Sequence, residues 1–304
     1  MVEISTHDRK GQPLRTVFDT RTGIVRNEPI PSDAELEKFY ALDYRVRYKG
    51  SAEPRKRQIL RNSRLARDFF AANAETLRSV QTVLDVGAGS GEYVFAAKYL
   101  DKKAAGLEPN IRYAHYCRDE LQLDITTGFV ERSRYPSGMF DLIILSHVLE
   151  HLNDPVGCLS ILRDWLAPGG VVFVAVPNID EMCRHHSKGN MFHYGHIWNF
   201  SPSTLRIACG LAGLQERNSS KQIQGSSTEG FFEECDPRPA PASNFSAAER
   251  TYDLISRHNR GEFSKSNFAK PFKKLAHYIE EEFTSRKFSS PIEILGAVMA
   301  GQVK

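Results

Sequence analysis

Three glycines alternate through LDVGAGSGEY, residues 84–93: Gly87, Gly89 and Gly91. The stretch reads as the end of a strand, a glycine-rich turn and the start of a helix. That arrangement lets backbone N–H groups approach a nucleotide-like ligand closely. A dinucleotide site spaces its glycines GxGxxG. Here the spacing is GxGxG, and Glu92 occupies the position of the third dinucleotide glycine. A glutamate at that helix start repels a pyrophosphate but not a cationic sulfonium, and Asp85 adds negative charge. Glu108, which closes the run AAGLE, can accept both hydroxyls of an adenosine ribose. This part of the chain is expected to hold an adenosine that carries no phosphates.

A second group of residues suits proton or metal chemistry. SHVLEHLNDP, residues 146–155, carries His147, Glu150 and His151. CRHHSKGNMFHYGHIWNF, residues 183–200, carries His185, His186, His193 and His196. Imidazoles beside a carboxylate can take a proton from a hydroxyl, hold a divalent ion, or serve the hydrogen bonds of their own loop. His185 and His186 are expected to be solvated loop residues.

A strand–helix alternation positions these groups. TVLDV (82–86), AAGLE (104–108), DITTG (124–128), FDLIILS (140–146) and VVFVAVPN (171–178) read as strands. Helices are expected over 91–100, 110–122 and 154–170, the last opened by Asp154 and Pro155 and closed by Pro-Gly-Gly. The pattern predicts an α/β fold with a Rossmann-like, doubly wound sheet. Upstream, residues 14–30 read as two strands about a turn at Thr20–Gly23, followed by a short helix capped by Ser32 or Asp33. Residues 54–79 read as a helix with Ile59, Leu65, Ala66, Phe69 and Phe70 near one face and arginines on the other. Downstream, 179–200 shows no periodicity and is expected to be a loop. Residues 201–213 form a capped helix, 219–244 a polar linker, and 245–260 and 266–287 two helices. PIEILGAVMAG (291–301) is strand-like.

The ordered segments VLDVGAGSGEY, GLEPN, FDLIILSHVLEHLNDP and LAPGGVVFVAVPN resemble the motifs of class I S-adenosylmethionine (SAM) dependent methyltransferases over about residues 80–215. The resemblance implies a seven-stranded sheet, parallel with one antiparallel strand, that binds SAM and releases S-adenosylhomocysteine. It implies that Asp85, Gly87, Ala88, Gly89 and Gly91 line the methionine part and that Glu108 holds the ribose. Pro109 or Asn110 would flank the adenine, Phe129 and Val130 contact its ring, and Ser146 and His147 face the ligand.

Methyl transfer is an in-line displacement, so a hydroxyl acceptor needs alignment and a base. His151 is the first choice and His196 the second, with His147 and Glu150 beside them. The two histidine segments leave one edge of the sheet and can meet over the SAM methyl. In a second reading, HVLEH and HYGH bind a divalent metal, because Glu150 and His151 resemble the acidic–histidine pair of metal-binding quinone and small-RNA 3′-end methyltransferases. Those families carry a further Glu where this chain has His147, so no metal is expected. In a third reading, the pair is structural. An Asn-Pro-Pro-Tyr type motif, the mark of amino-group methyltransferases of DNA bases and glutamine, does not follow the fourth strand, which points away from an amide or exocyclic amine.

The flanks carry weaker signals. FDTRTGIVRNEPIPSDAELEKFYALDYRVRY resembles the front of bacterial methyltransferases that begin with a small zinc ribbon, but no cysteine precedes Cys117. A hairpin without zinc is expected, with Tyr40, Tyr44, Arg45 and Tyr48 as a lid. Strand six of the family sheet suits LQERNSS (214–220) and strand seven IEILGAVMAG (292–301). The expected organisation is thus an N-terminal hairpin and lid (1–53), a SAM-binding core (54–220), a helical insertion or cap (221–290) and a final core strand (291–304). Phe268, Phe272, Leu275, Ile279 and Phe283 recur at helical spacing and are expected to pack in the core, with a substrate cap or a homodimer contact as alternatives. Lys265, Lys270, Lys273 and Lys274 suit an anionic acceptor or a solvated face.

Bulk composition narrows the class. With 304 residues, 41% hydrophobic and 25% charged, the chain has the balance of a soluble globular protein. A net charge of +3 is too mild to announce a nucleic-acid partner. Five cysteines without a CxxC pair fit a reducing cytoplasm, no apolar run approaches the roughly 18 residues of a membrane span, and the N-terminus lacks the apolar core of a secretory signal. The expected activity is methyl transfer from SAM to a hydroxyl of a small molecule or glycan. RNA methylation and a non-catalytic SAM-binding subunit are the alternatives.

Overall fold

The computed structural model describes residues 1–39, 53–131, 134–186, 191–219, 226–239, 243–263 and 270–303. The expected lid residues Tyr40, Tyr44, Arg45 and Tyr48, and also Lys265 and Phe268, lie outside the described residues. The chain divides into two compact units. One comprises Met1–Asp33, Leu145–Asp164 and Val172–Phe268; the other comprises Ala34–Ile144, Trp165–Val171 and Ala269–Lys304.

In chain order the elements are β1 (Val2–His7), β2 (Pro13–Phe18), β3 (Val25–Glu28), α1 (Asp33–Lys38), α2 (Lys56–Ala72), β4 (Thr82–Val86), α3 (Glu92–Tyr99), β5 (Lys103–Glu108), α4 (Ile111–Asp119), β6 (Ile125–Thr127) and β7 (Phe140–Ser146). They continue with α5 (Pro155–Trp165), β8 (Leu166–Pro177), α6 (Ile179–His185), β9 (Trp198–Asn199), α7 (Pro202–Leu211), β10 (Leu214–Ser219), β11 (Ser227–Glu234), α8 (Phe245–Asn259), α9 (Lys270–Ser285) and α10 (Pro291–Met299). Seven strands form one sheet in the order β10-β11-β8-β7-β4-β5-β6. β4 runs parallel to β5 and β7, and β5 parallel to β6, while β11 runs antiparallel to both β8 and β10. This is the expected Rossmann-like sheet with one reversed strand. β7 and β8 are almost wholly apolar, as strands covered on both faces require. Asp141, near the start of β7, accepts hydrogen bonds from Gln81 N (2.8 Å), Thr82 N (2.9 Å) and Thr82 Oγ1 (2.9 Å), which fixes the entry of β4 into the sheet.

Several sequence expectations change at the flanks. PIEILGAVMAG is not a strand but α10. Ser290 caps it by accepting from Glu293 N, and Pro291 suits its first turn. Ile294, Leu295 and Val298 share one face and are buried with Ile59, Leu60 and Val94, whereas Ile292 is exposed. The strand expected there is β11, inside the segment read as a linker. Residues 221–290 are therefore not an insertion between the last two strands, because β10 and β11 already pair as a hairpin. The polar letters of STEGFFEE hid it, although Phe231 and Phe232 are buried and Phe231 stacks on Phe173 with centroids 5.1 Å apart.

The stretch 179–200, read as a loop, contains α6 and β9. α6 has seven residues, too few to show a period, and is set by Asn178, whose side chain accepts from Asp180 N. α5 ends at Trp165, before Pro-Gly-Gly, and those residues already belong to β8.

The N-terminal hairpin forms as expected, with Phe18 opposite Val25. It is extended by β1 and β9 into a four-stranded sheet of order β1-β2-β3-β9. Phe18 and Val25 join Ile179, Cys183, Ala248 and Ile255 in the core of their unit. α9 forms, but three residues of the apolar row, Leu275, Ile279 and Phe283, are exposed rather than packed in the core. The helix meets α2 through ion pairs instead, Arg57 with Glu281 (3.0 Å) and Arg64 with Glu280 (2.8 Å). Among the described residues no helix is long and apolar enough to cross a membrane.

Candidate functional site

In the unit that holds β4 and β5, the glycine turn joins β4 to α3. Gly87 N (2.7 Å) and Ala88 N (3.0 Å) both donate to Leu107 O, so the turn is tied to the neighbouring strand. Gly91 is the N-cap of α3 at φ +82°, and a Cβ there would lie 2.5 Å from Leu123 Cδ1. Backbone conformation and space both require glycine at this position.

Glu108 ends β5 and is buried. Its Oε2 accepts from Gly89 N (2.7 Å) and its Oε1 from Asn110 N (2.9 Å), so the carboxylate braces the turn. Glu92 is also buried and accepts from Ser90 Oγ (2.7 Å) and Asn62 Nδ2 (3.3 Å). Asp85 completes a set of three buried carboxyls. Burial, then Glu92, then Glu108 push its pKa well above the usual carboxylate range. Pro109 is half-buried, and the Asn110 side chain caps α4 by accepting from Tyr113 N (3.1 Å). Phe129 and Val130 follow β6 and are half-buried.

The other unit gathers the histidines. Ser146, the last residue of β7, is half-buried. His147 follows it at φ +56°, a left-handed conformation uncommon for a side chain of this size, and its backbone N donates to Ala175 O (2.8 Å). Its Nδ1 lies 3.4 Å from Glu150 Oε1 and its Nε2 3.4 Å from Ser227 Oγ. Glu150 and His151 share a single 3₁₀ turn, Leu149–His151. Glu150 is 1% exposed, and neither of its carboxylate oxygens has a hydrogen bond of ordinary geometry among the described residues. Its neighbours are the imidazole nitrogens His151 Nε2 at 3.8 Å and His196 Nε2 at 3.9 Å. Burial pushes the Glu150 pKa up, but His151 and His147 outweigh it, and the carboxyl is held below its ordinary value.

His151 Nδ1 is hydrogen-bonded to Gly195 O. A carbonyl only accepts, so Nδ1 donates to it and Nε2 is the nitrogen that faces Glu150. The His196 ring stands edge-on to His151, with centroids 4.9 Å apart. Burial, then His151 and His193, hold its pKa well below the usual histidine value. Burial and then Arg9 push His193 down to about 3. The structure thus joins His147, Glu150, His151, His193 and His196, and leaves His185 exposed on α6 beside Glu181 (3.1 Å).

Sequence reasoning missed Asn27. Its Nδ2 donates to His193 O (3.2 Å) and His196 O (2.9 Å), so the N-terminal sheet holds the HYGH loop. Gly195, Ser227 and Asn199, whose buried side-chain amide has no hydrogen-bond partner among the described residues, were also missed. No spacing in the sequence links these residues to the cluster.

A family model described as a methyltransferase domain matches residues 56–217. The chain is 30% identical over 108 residues to a tRNA U34 carboxymethyltransferase of Campylobacter curvus, a match covering 33% of this chain and 36% of that protein. It is 29% identical over 116 residues to a ubiquinone biosynthesis O-methyltransferase of Parvibaculum lavamentivorans, covering 36% of this chain and 46% of that one. The chain thus spans less than half the length of these two curated relatives. In fold it is similar to 1,6-didemethyltoxoflavin-N1-methyltransferase of Burkholderia thailandensis, with 15% identity, a TM-score of 0.52, and coverage of 73% of this chain and 99% of that one.

Proposed function

This chain belongs to the methyltransferase-domain family, and from that premise we propose that it transfers the methyl group of SAM to a hydroxyl oxygen of a small molecule or glycan. Gly87 follows β4 and His147 follows β7, two adjacent parallel strands, and ligands of open parallel sheets bind beyond the carboxyl ends of such strands. In this reading Asp85, Gly87, Ala88, Gly89 and Gly91 line the methionine part. Glu108 takes the ribose hydroxyls, Pro109 or Asn110 with Phe129 and Val130 bounds the adenine, and Ser146 and His147 are ligand-facing residues by the family resemblance. Three buried carboxyls, Asp85, Glu92 and Glu108, suit a sulfonium cation and oppose a pyrophosphate.

The observation that carries the choice of oxygen is the histidine cluster about Glu150. An amine acceptor that is already nucleophilic needs no such group, whereas a hydroxyl must lose its proton as the O–C bond forms and the S–C bond breaks. The His151 ring is oriented by Gly195 O, and in this reading the reaction depends on it most. Burial and the neighbouring imidazoles hold the His196 pKa well below the usual value, which makes it a weak proton acceptor.

The test incubates the purified chain and methyl-labelled SAM with small-molecule, glycan, RNA and protein fractions of the source cell. Label in an ether linkage of the small-molecule or glycan fraction is expected, reduced about a hundredfold or more in His151→Ala. Label in RNA, as the name of the Campylobacter relative invites, overturns the acceptor class. SAM binding without any transfer favours a non-catalytic subunit.

A further inference from the structure

Among the described residues the buried Glu150 carboxylate accepts no hydrogen bond of ordinary geometry, and its nearest polar neighbours are the imidazoles of His147 (3.4 Å), His151 (3.8 Å) and His196 (3.9 Å). Leaving a buried carboxylate in that state is costly unless something else satisfies it. His151 is already oriented as a ligand would be: its Nδ1–H is donated to Gly195 O, which fixes the ring and aims Nε2 at Glu150. A metal-bound histidine is typically oriented in this way through its second nitrogen. Donor atoms of Glu150, His151 and His196 all lie within 4.8 Å of one another. A tetrahedral ion with bonds of about 2.0–2.1 Å separates its donors by roughly 3.4 Å. The separations from Glu150 Oε1 to the two Nε2 atoms are 3.8 Å and 3.9 Å, and the whole donor set, within 4.8 Å, contracts around the ion on binding.

We infer that Glu150, His151 and His196 are the three protein ligands of a divalent cation of the zinc or cobalt kind. Two imidazoles and one carboxylate suit a borderline cation and leave a coordination position open. The loop that supplies His196 is held from outside the cluster by Asn27, as a preformed site requires. This inference rests on the hydroxyl reading above for its role: an acceptor hydroxyl bound at the open position loses its proton more readily. That proton passes to water. The alkoxide oxygen then bonds the methyl carbon as the sulfur–carbon bond breaks and S-adenosylhomocysteine leaves. His151 serves here as a ligand, and its loss removes the cation.

The experiment loads the full chain, stripped by chelator, with Co2+ and follows the visible ligand-field absorption together with metal content by mass spectrometry. One ion per chain is expected, displaced by Zn2+. Glu150→Gln and His196→Ala should each weaken uptake about tenfold or more, and His185→Ala should leave it unchanged. Circular dichroism reports whether each variant folds. Should either ligand variant fail to fold, the wild-type chain still decides, through a rise in its melting temperature with Zn2+. Absence of stoichiometric uptake overturns the site, as does a spectrum that persists unchanged in folded Glu150→Gln. Cation uptake with label transferred to nitrogen leaves the site standing and removes the hydroxyl reading. Undiminished transfer to a hydroxyl by metal-free protein does the reverse.

Discussion

Asp85 is 3% exposed beside two further buried carboxyls, Glu92 and Glu108. Burial first, then those two neighbours, favour its protonated form. A sulfonium or ammonium group brought close favours the ionised form. SAM binding is therefore expected to release a proton from Asp85. The sign follows directly: below its raised pKa the free protein holds the proton and the complex does not, so affinity climbs as pH rises through that value and then levels. Calorimetry in two buffers of different ionisation enthalpy measures the release. A binding heat independent of buffer, with affinity that does not change with pH, counts against the assignment. The acidic character of this corner was legible from Asp85, Glu92 and Glu108 in the sequence. Their shared burial was not, because it depends on Asn62 and Ser90 closing over Glu92.

At the scale of elements, Asp141 shows how one side chain sets a strand. Burial pushes its pKa up, but hydrogen bonds from Gln81 N, Thr82 N and Thr82 Oγ1, with Lys102 nearby, outweigh that and hold it below its ordinary value. A carboxyl whose folded pKa is depressed contributes stability above its unfolded pKa of about 3.9, and the contribution is lost as pH falls through the folded value. Asp141→Ala is expected to cost about 1–3 kcal/mol at neutral pH. Denaturant titrations of both proteins should converge as the solution is acidified below that range. An equal gap at every pH contradicts this account. β4 and β7 were read from the sequence with their observed bounds, because a buried parallel strand writes itself as an apolar run. α6 was not, because a helix of two turns is specified by its cap and its packing on α8 rather than by a period.

At the scale of the molecule, the C-terminal helices separate periodicity from burial. Both α9 and α10 carry apolar residues at helical spacing, yet Leu295 is 1% exposed and Leu275 is 56% exposed. Leu295→Ala, in the cluster shared with α2 and α3, is expected to cost about 2–5 kcal/mol. Leu275→Ala should stay within about 0.5 kcal/mol. Thermal or denaturant unfolding of the two variants checks the pair, and equal costs contradict the placement of the helices.

The sequence by itself determined the alternation of strands and helices from 82 to 178, the glycine turn with its acidic neighbours, the Ser201 cap of α7 and the histidine-rich segments after β7. Each of these is written in adjacent residues, through apolar runs, capping chemistry or glycine spacing. Only the tertiary structure decided that α10 is a helix, that β11 rather than the C-terminus supplies the reversed strand, and that Asn27 reaches over 160 residues along the chain to hold His193 and His196. Those outcomes depend on which surfaces were left uncovered once the local elements had formed. For Glu150 the division is different: the meeting of the two histidine segments was expected from the sequence, whereas the burial of the carboxyl among imidazoles is set by the 3₁₀ turn and the returning loop together.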